Sequence, residues 1–253
     1  IRINKFISHN TNYSRREADE LIKSGKISVN ERVVSDFVEV SYEDKIKING
    51  RLVKKKTEFS VIVYNKQKGE LVTKRDDRGR KTIFDTLPKG FSKFISVGRL
   101  DFASEGLLLL TDAPAIAEAL MRSDIERMYY LKVKGEVTDD VIAAMREGFF
   151  AKDATKGAHE KTQIKSMEFK PFLAYSVLGS SGGYTKLKVI INEGQNRELR
   201  RFFGCFDLEV VELKRVSFGR VDLGMLKPGK WRYLTSSEYD DLRDFLKQNN
   251  VRY

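Results

Sequence analysis

Asp101 lies in GRLDFASEGLLLLTD, Gly98 to Asp112, between the basic Arg99 and the four leucines 107–110. A carboxylate set beside buried elements loses hydration, so it reads as a reagent rather than a solubilising charge. Strand-like FISV, Phe94 to Val97, precedes it, which places Asp101 on a short connection between buried strands. A second segment, INEGQNRELRRFF from Ile191 to Phe203, runs from a strand through a glycine into a helix. That helix carries Arg197, Arg200 and Arg201 beside Leu199 and Phe202, and guanidiniums near a helix start suit an anionic partner. Cys205 is the only cysteine, and His9 and His159 lie far apart, so neither a disulfide nor a metal centre is expected.

These residues need a scaffold. In SRREADELIKSG, Ser14 and Glu17 form a capping-box pair, Ala18, Leu21 and Ile22 share a face, and Gly25 can end the helix. KISVN, ERVV and KIKING follow as short strands, with Ile27 and Val29, then Ile46 and Ile48, pointing one way and Asn49-Gly50 as a tight turn. The run Lys54 to Lys56 marks a linker, dividing the chain into domains 1–56 and 57–253. Beyond it SVIVYNK reads as a strand. A polar loop then carries Lys74, Arg75, Arg78, Arg80 and Lys81 before helix-like IFDTL; these cations either grip a polyanion or merely solubilise the loop.

Further on, Asp112 is expected to cap APAIAEALMR, with Pro114 in its first turn. In ERMYYLKVKG, Tyr129, Leu131 and Val133 share the inward face of a strand. TDDVIAAMREG is a capped helix, and alternating segments recur around 166–168, 175–178 and 186–191, with LGSSGGY as a turn. Strands and helices without strict alternation indicate an α+β fold.

With 253 residues and 41% hydrophobic content the chain can bury a substantial core. Its net charge of +11, shared between the first 58 residues and the remainder, suits a polyanion-binding protein. No apolar run approaches the roughly 20 residues that span a bilayer, and the opening IRINKF lacks the apolar core of a secretory signal. A cytoplasmic location without membrane contact is the expectation.

The motifs together resemble RNA pseudouridine synthases of the subgroup with an N-terminal S4 domain. G-R-L-D is followed at the family spacing by Ser104 and Gly106, and E-G-R-N-R-Q-V-R-R is matched with Gln195 and Glu198 as departures. N-K-P-K-G is matched with Gln67 in place of proline, and Val211 to Leu246 resembles the subgroup's closing segment, with Trp231 and the last helix as core and cover. Over residues 2–53, S-R-R-E-A, V-N and the closing hairpin resemble the S4 RNA-binding domain, although Asn30-Glu31 stands where Asn-Gly is usual. The resemblance implies a small S4-like domain and a larger catalytic domain on a mixed, mainly antiparallel sheet flanked by helices.

It also implies an isomerase acting on ribosomal RNA or a pre-ribosomal particle, with no cofactor, no metal and no obligate protein partner. Asp101 would be the catalytic carboxylate, Arg200 its partner, and Tyr129 the ring under a flipped uridine. Arg99, Arg78, Arg80, Arg197, Arg201 and Leu199 would meet RNA around them, and Arg15, Arg16, Lys23 and Lys26 would bind it on the S4 side near a helix start. Isomerising uridine needs neither redox change nor water, so a single carboxylate suffices where glycoside hydrolysis generally uses two. A nearby guanidinium favours the charged form of that carboxylate. Gln67 is expected to loosen its loop, and Glu198 to add a negative charge that weakens RNA binding or restrains Arg197. Large-subunit RNA is the expected substrate; small-subunit RNA, or RNA binding and ribosome assembly without catalysis, are the alternatives.

Overall fold

The computed structural model describes residues 1–41, 43–55 and 58–253. The expected boundary between residues 56 and 57 therefore lies outside the described residues. Helices α1 (Ile3–Asn10) and α2 (Arg15–Lys23) pack on a four-stranded sheet of β1 (Ile27–Val29), β2 (Arg32–Val34), β3 (Ile46–Ile48) and β4 (Arg51–Leu52) in the order β2-β1-β3-β4. Ile3, Phe6, Ile7, Ala18, Ile22, Ile27, Ile46 and Ile48 are its core. The Ser14/Glu17 capping box forms, which starts α2 sharply enough to seat Ala18 and Ile22 inward. Asn30 and Glu31 both take left-handed φ, 48° and 69°, as do Asn49 and Gly50. The two hairpins thus share one turn geometry, and Glu31 bears a conformation that glycine adopts freely.

The rest of the chain builds on a nine-stranded sheet. Its elements are β5 (Val61–Lys66), α3 (Ile83–Thr86), β6 (Ile95–Ser96), β7 (Glu105–Thr111), α4 (Pro114–Met121), β8 (Arg127–Lys134) and α5 (Asp139–Glu147). A separate two-stranded ribbon of β9 (Phe149–Ala151) and β10 (Met167–Phe169) follows. Then come β11 (Ala174–Ser181), β12 (Tyr184–Ile191), α6 (Glu198–Gly204), β13 (Glu209–Phe218), β14 (Val221–Asp222), β15 (Trp231–Tyr233) and α7 (Ser236–Gln248). The main order is β11-β12-β8-β13-β7-β5-β15, with β6 on β7 and β14 on β13. Among the strands of the described residues only β13 and β7 pair in parallel, so the sheet is mixed and mainly antiparallel, as expected.

The leucine run is continuous because β7 is buried on both faces. Leu107 and Leu109 join Val61 and Val63 under α4 and α7, while Leu108 and Leu110 join Ile62 and Tyr64 under Phe91 and Phe94. Trp231 packs beside the second group, and Leu242 and Leu246 of α7 cover the first.

Local expectations fail where another partner wins. Asp112 does not cap α4: Ala113 is the cap residue, the Asp112 carboxylate accepts the Ser60 N–H, and the Thr111 hydroxyl accepts the Ala113 N–H. Thr138 stands at the α5 cap position without a side-chain capping bond. Most of LGSSGGY is strand, because β11 continues to Ser181 and leaves the turn to Gly182 and Gly183.

Candidate active site

Asp101 sits on the connection between β6 and β7, held from three sides. The Ser104 N–H donates to the Asp101 carbonyl (3.0 Å), and the Gly69 N–H donates to the Phe102 carbonyl (2.8 Å). The fully buried Lys66 ammonium donates to the carbonyls of Gln67 (2.9 Å) and Ser104 (2.7 Å), and burial lowers its pKa to about 8. A lysine ending a strand that is buried along its whole length is the signal by which sequence reasoning could have found this support. Gln67 does not leave its loop loose: its N–H, which proline would lack, donates to buried Glu70 at 3.2 Å.

Two guanidiniums converge on the carboxylate. Arg200 Nε lies 3.4 Å and Arg197 Nη1 3.2 Å from the same oxygen, Asp101 Oδ2. The Arg200 contact is an ion pair rather than an aligned hydrogen bond; its Nη1 and Nη2 instead donate to the Val210 carbonyl (2.9 Å) and the Ser104 hydroxyl (3.0 Å). Burial works against the charge on Arg200, and Asp101 beside it offsets part of that penalty.

Arg197 is not in the helix. It caps α6 in the left-handed conformation, φ 52°, which turns its side chain back toward Asp101. Asp101 lines a cavity of 240 Å³ with Arg99, Tyr129, Arg197, Leu199, Arg127 and Arg215. The last two are buried, went unnoticed in the sequence, and donate to the carbonyls of Asn192 and Leu107. A wider groove of 920 Å³ shares Arg99, Asp101 and Arg197 with it and also reaches Arg75, Arg80 and Phe102, which is 46% exposed beside Asp101.

Other expected contacts separate. Arg201, expected to meet RNA, is instead fully buried in this structure, donating to the carbonyls of Ala154 (2.7 Å) and Ile164 (2.6 Å). Lys74 is spent on the carbonyls of Ser92 and Phe94 and on the Phe84 ring, and Lys81 pairs with Glu70. Arg80 holds Asp76 at 2.7 Å at the groove wall, while Arg78 is exposed and outside the lining. Arg15, Arg16, Lys23 and Lys26 are all exposed, but only the two arginines occupy the first turn of α2; Lys23 is in its last turn and Lys26 beyond it. They are spread from the start of α2 to beyond its end rather than gathered at the helix start.

Glu198 also departs from expectation. It is buried, its carboxylate accepts the Gln195 N–H at 3.1 Å, and it makes no ion pair with Arg197 among the described residues. Burial raises its pKa from 4.5 to about 7, which blunts its charge near neutrality. Between those values the folded chain keeps a proton that the unfolded chain releases, so this group's contribution makes stability fall as pH rises. Glu198→Gln should therefore gain melting temperature on the parent as pH rises from about 5 to 7. A constant difference across that window would assign the proton elsewhere.

A sequence model of the RNA pseudouridylate synthase family matches residues 60–204, more than half of the chain. The chain belongs to this family. It is an RNA pseudouridine synthase, an isomerase, and an S4 domain model matches residues 1–36. It is 48% identical to an uncharacterized RNA pseudouridine synthase of Helicobacter pylori, over 97% of this chain and 95% of that one. It is 33% identical to ribosomal large subunit pseudouridine synthase B of Bacillus subtilis, over 96% and 95%. A solved pseudouridylate synthase structure aligns with a TM-score of 0.62 at 26% identity, covering 96% of this chain and 99% of that one. No helix among the described residues is long and apolar enough to cross a membrane.

Proposed function

We propose that this pseudouridine synthase isomerises a uridine of large-subunit ribosomal RNA, with Asp101 as the reacting carboxylate on a nucleotide turned out of its helix. The observation that carries the reading is the convergence of Arg197 and Arg200 on one Asp101 oxygen at the edge of a 240 Å³ cavity. Their closest contacts fall on Oδ2, so Oδ1 keeps lone pairs for the substrate. A pyrimidine base has eight or so heavy atoms, and a cavity of this size suits one base rather than a stacked pair. In the reaction one carbon–nitrogen bond to the ribose breaks, the base turns, and one carbon–carbon bond forms; the proton lost from carbon is matched by one gained at nitrogen.

Turning the nucleotide out costs roughly a few kcal/mol of stacking and pairing. The Tyr129 ring in the cavity wall is placed to recover part of it, since a base on an aromatic face is worth about 1–3 kcal/mol. Arg99 and Leu199 complete the pocket, Arg75 and Arg80 add positive charge along the groove, and Arg78 would meet RNA beyond its lining. The S4-like domain, residues 1–56, would anchor structured RNA through Arg15, Arg16, Lys23 and Lys26, and residues 57–253 would carry the reaction. The place of work is the compartment holding ribosomal RNA, the cytoplasm. The large-subunit assignment is supported by the Bacillus subtilis relative's name.

Purified protein incubated with both ribosomal RNAs from a strain lacking the enzyme, followed by pseudouridine mapping, should yield a defined modification in large-subunit RNA. A site in small-subunit RNA alone would overturn the substrate; none in either would overturn the reading.

A further inference from the structure

Arg197 has a second partner besides Asp101: its Nε donates to the Gly157 carbonyl at 2.7 Å. Gly157 lies in the segment between β9 and β10, and that segment runs directly over α6. A Cβ on Gly157 would stand 2.3 Å from the Arg200 carbonyl, and its φ is +76°. A Cβ on Gly204 of α6 would stand 2.5 Å from the Lys156 carbonyl. Two backbones meet here at a distance that only glycine permits from either side. Arg201 fastens the same segment from below through the Ala154 and Ile164 carbonyls, and Lys156 pairs with Asp207 at its edge.

We propose that residues 154–164 form a strap that aims Arg197 at Asp101, with Gly157 as a positioning residue for the reaction. The argument rests on Asp101 being the reacting group. A guanidinium is a rigid planar fork with five N–H bonds, so fixing Nε on a carbonyl fixes where both Nη atoms point. With Nε on Gly157, Nη1 reaches Asp101 Oδ2 at 3.2 Å. Lysine offers one nitrogen and cannot make both contacts in the same geometry. α6 thus supplies Arg201 to hold the strap, and the strap returns a carbonyl that holds Arg197, the residue capping α6. The three arginines of α6 and its cap, at 197, 200 and 201, thus take distinct roles: aimed partner, buried partner and strap anchor.

The test is a double-mutant cycle on the full-length protein, read as kcat and KM on large-subunit ribosomal RNA isolated from a strain lacking the enzyme. Gly157→Ala should lower kcat about 10- to 100-fold, the scale of a misplacement near 1 Å, with KM changed less than about twofold. Arg197→Lys should lower kcat similarly, and adding Gly157→Ala to it should cost little more, because the two act as one unit. Full additivity of the two losses would overturn the proposal, as would a Gly157→Ala effect confined to KM.

If Gly157→Ala melts below the assay temperature, Lys156→Gln takes its place in the cycle, since both members of that ion pair are exposed and the fold does not depend on it. It should lower kcat about two- to fivefold in the parent and leave the Arg197→Lys enzyme unchanged; equal losses in both backgrounds, or none in the parent, would overturn the strap. Asp101→Asn, run alongside, separates the two claims: activity retained there removes the Asp101 reading, whereas activity lost there with an additive cycle removes only the strap.

Discussion

Asp101→Asn is expected to lower pseudouridine formation by at least about 10²- to 10⁴-fold, the usual contribution of a positioned acid–base or nucleophilic group, while RNA binding persists. The substitution keeps shape and removes charge, so Lys66, Gly69 and Ser104 still hold the loop by its main chain. What disappears is the reacting oxygen. Glu198 lines the same cavity but spends its carboxylate on the Gln195 N–H, so it is not placed to substitute. The two arginines lose their counter-charge in a partly buried setting, which gives the variant a lower melting temperature but a pocket more attractive to phosphate. Single-turnover assays with mapped RNA and a parallel binding titration check both halves; wild-type turnover would refute the assignment of Asp101.

Gly106→Ala is expected to be the most damaging single-methyl change in the catalytic half. Gly106 is the second residue of β7, at φ +103°, opposite Arg215 where β7 and β13 pair in parallel. An added Cβ would lie 2.1 Å from the Arg215 carbonyl and 2.9 Å from its nitrogen. Neither atom can move without breaking the strand pairing. Backbone strain of about 1–3 kcal/mol and a similar overpacking penalty together predict a loss of about 2–6 kcal/mol. Chemical denaturation would measure it as a lower midpoint; a loss below about 0.5 kcal/mol, the range of an ordinary surface change, would show that the sheet accommodates the methyl. Any folded fraction should also be slow, because the displaced strand carries the Asp101 loop.

How legible this was depends on what each residue's environment shares with its neighbours in sequence. The capping box of α2, the alternation around Tyr129 and the two-faced leucine run are local patterns with one physical outcome, and they read correctly. Asp101 and the arginine segment were found because both stand out within a few residues. Spacing alone put Arg197, Arg200 and Arg201 on one helix, and only the family resemblance set Arg200 apart as the partner of Asp101. The left-handed cap and the carbonyls of Ala154 and Ile164, which separate their roles, come from elsewhere in the fold. Lys74 and Glu198 failed for the same reason: a charged residue in a polar stretch shows nothing of the carbonyls or N–H that will claim it.

The parallel contact of β7 with β13 has a consequence for synthesis. Asp101 leaves the ribosome long before Arg197 and Arg200, and the strand that completes its setting comes later still. Such distant pairings close slowly, whereas the N-terminal helices and hairpins involve near neighbours and can assemble early. A nascent chain would thus acquire a means of holding RNA well before any means of altering it, and its first competent copy would be one that had finished translation.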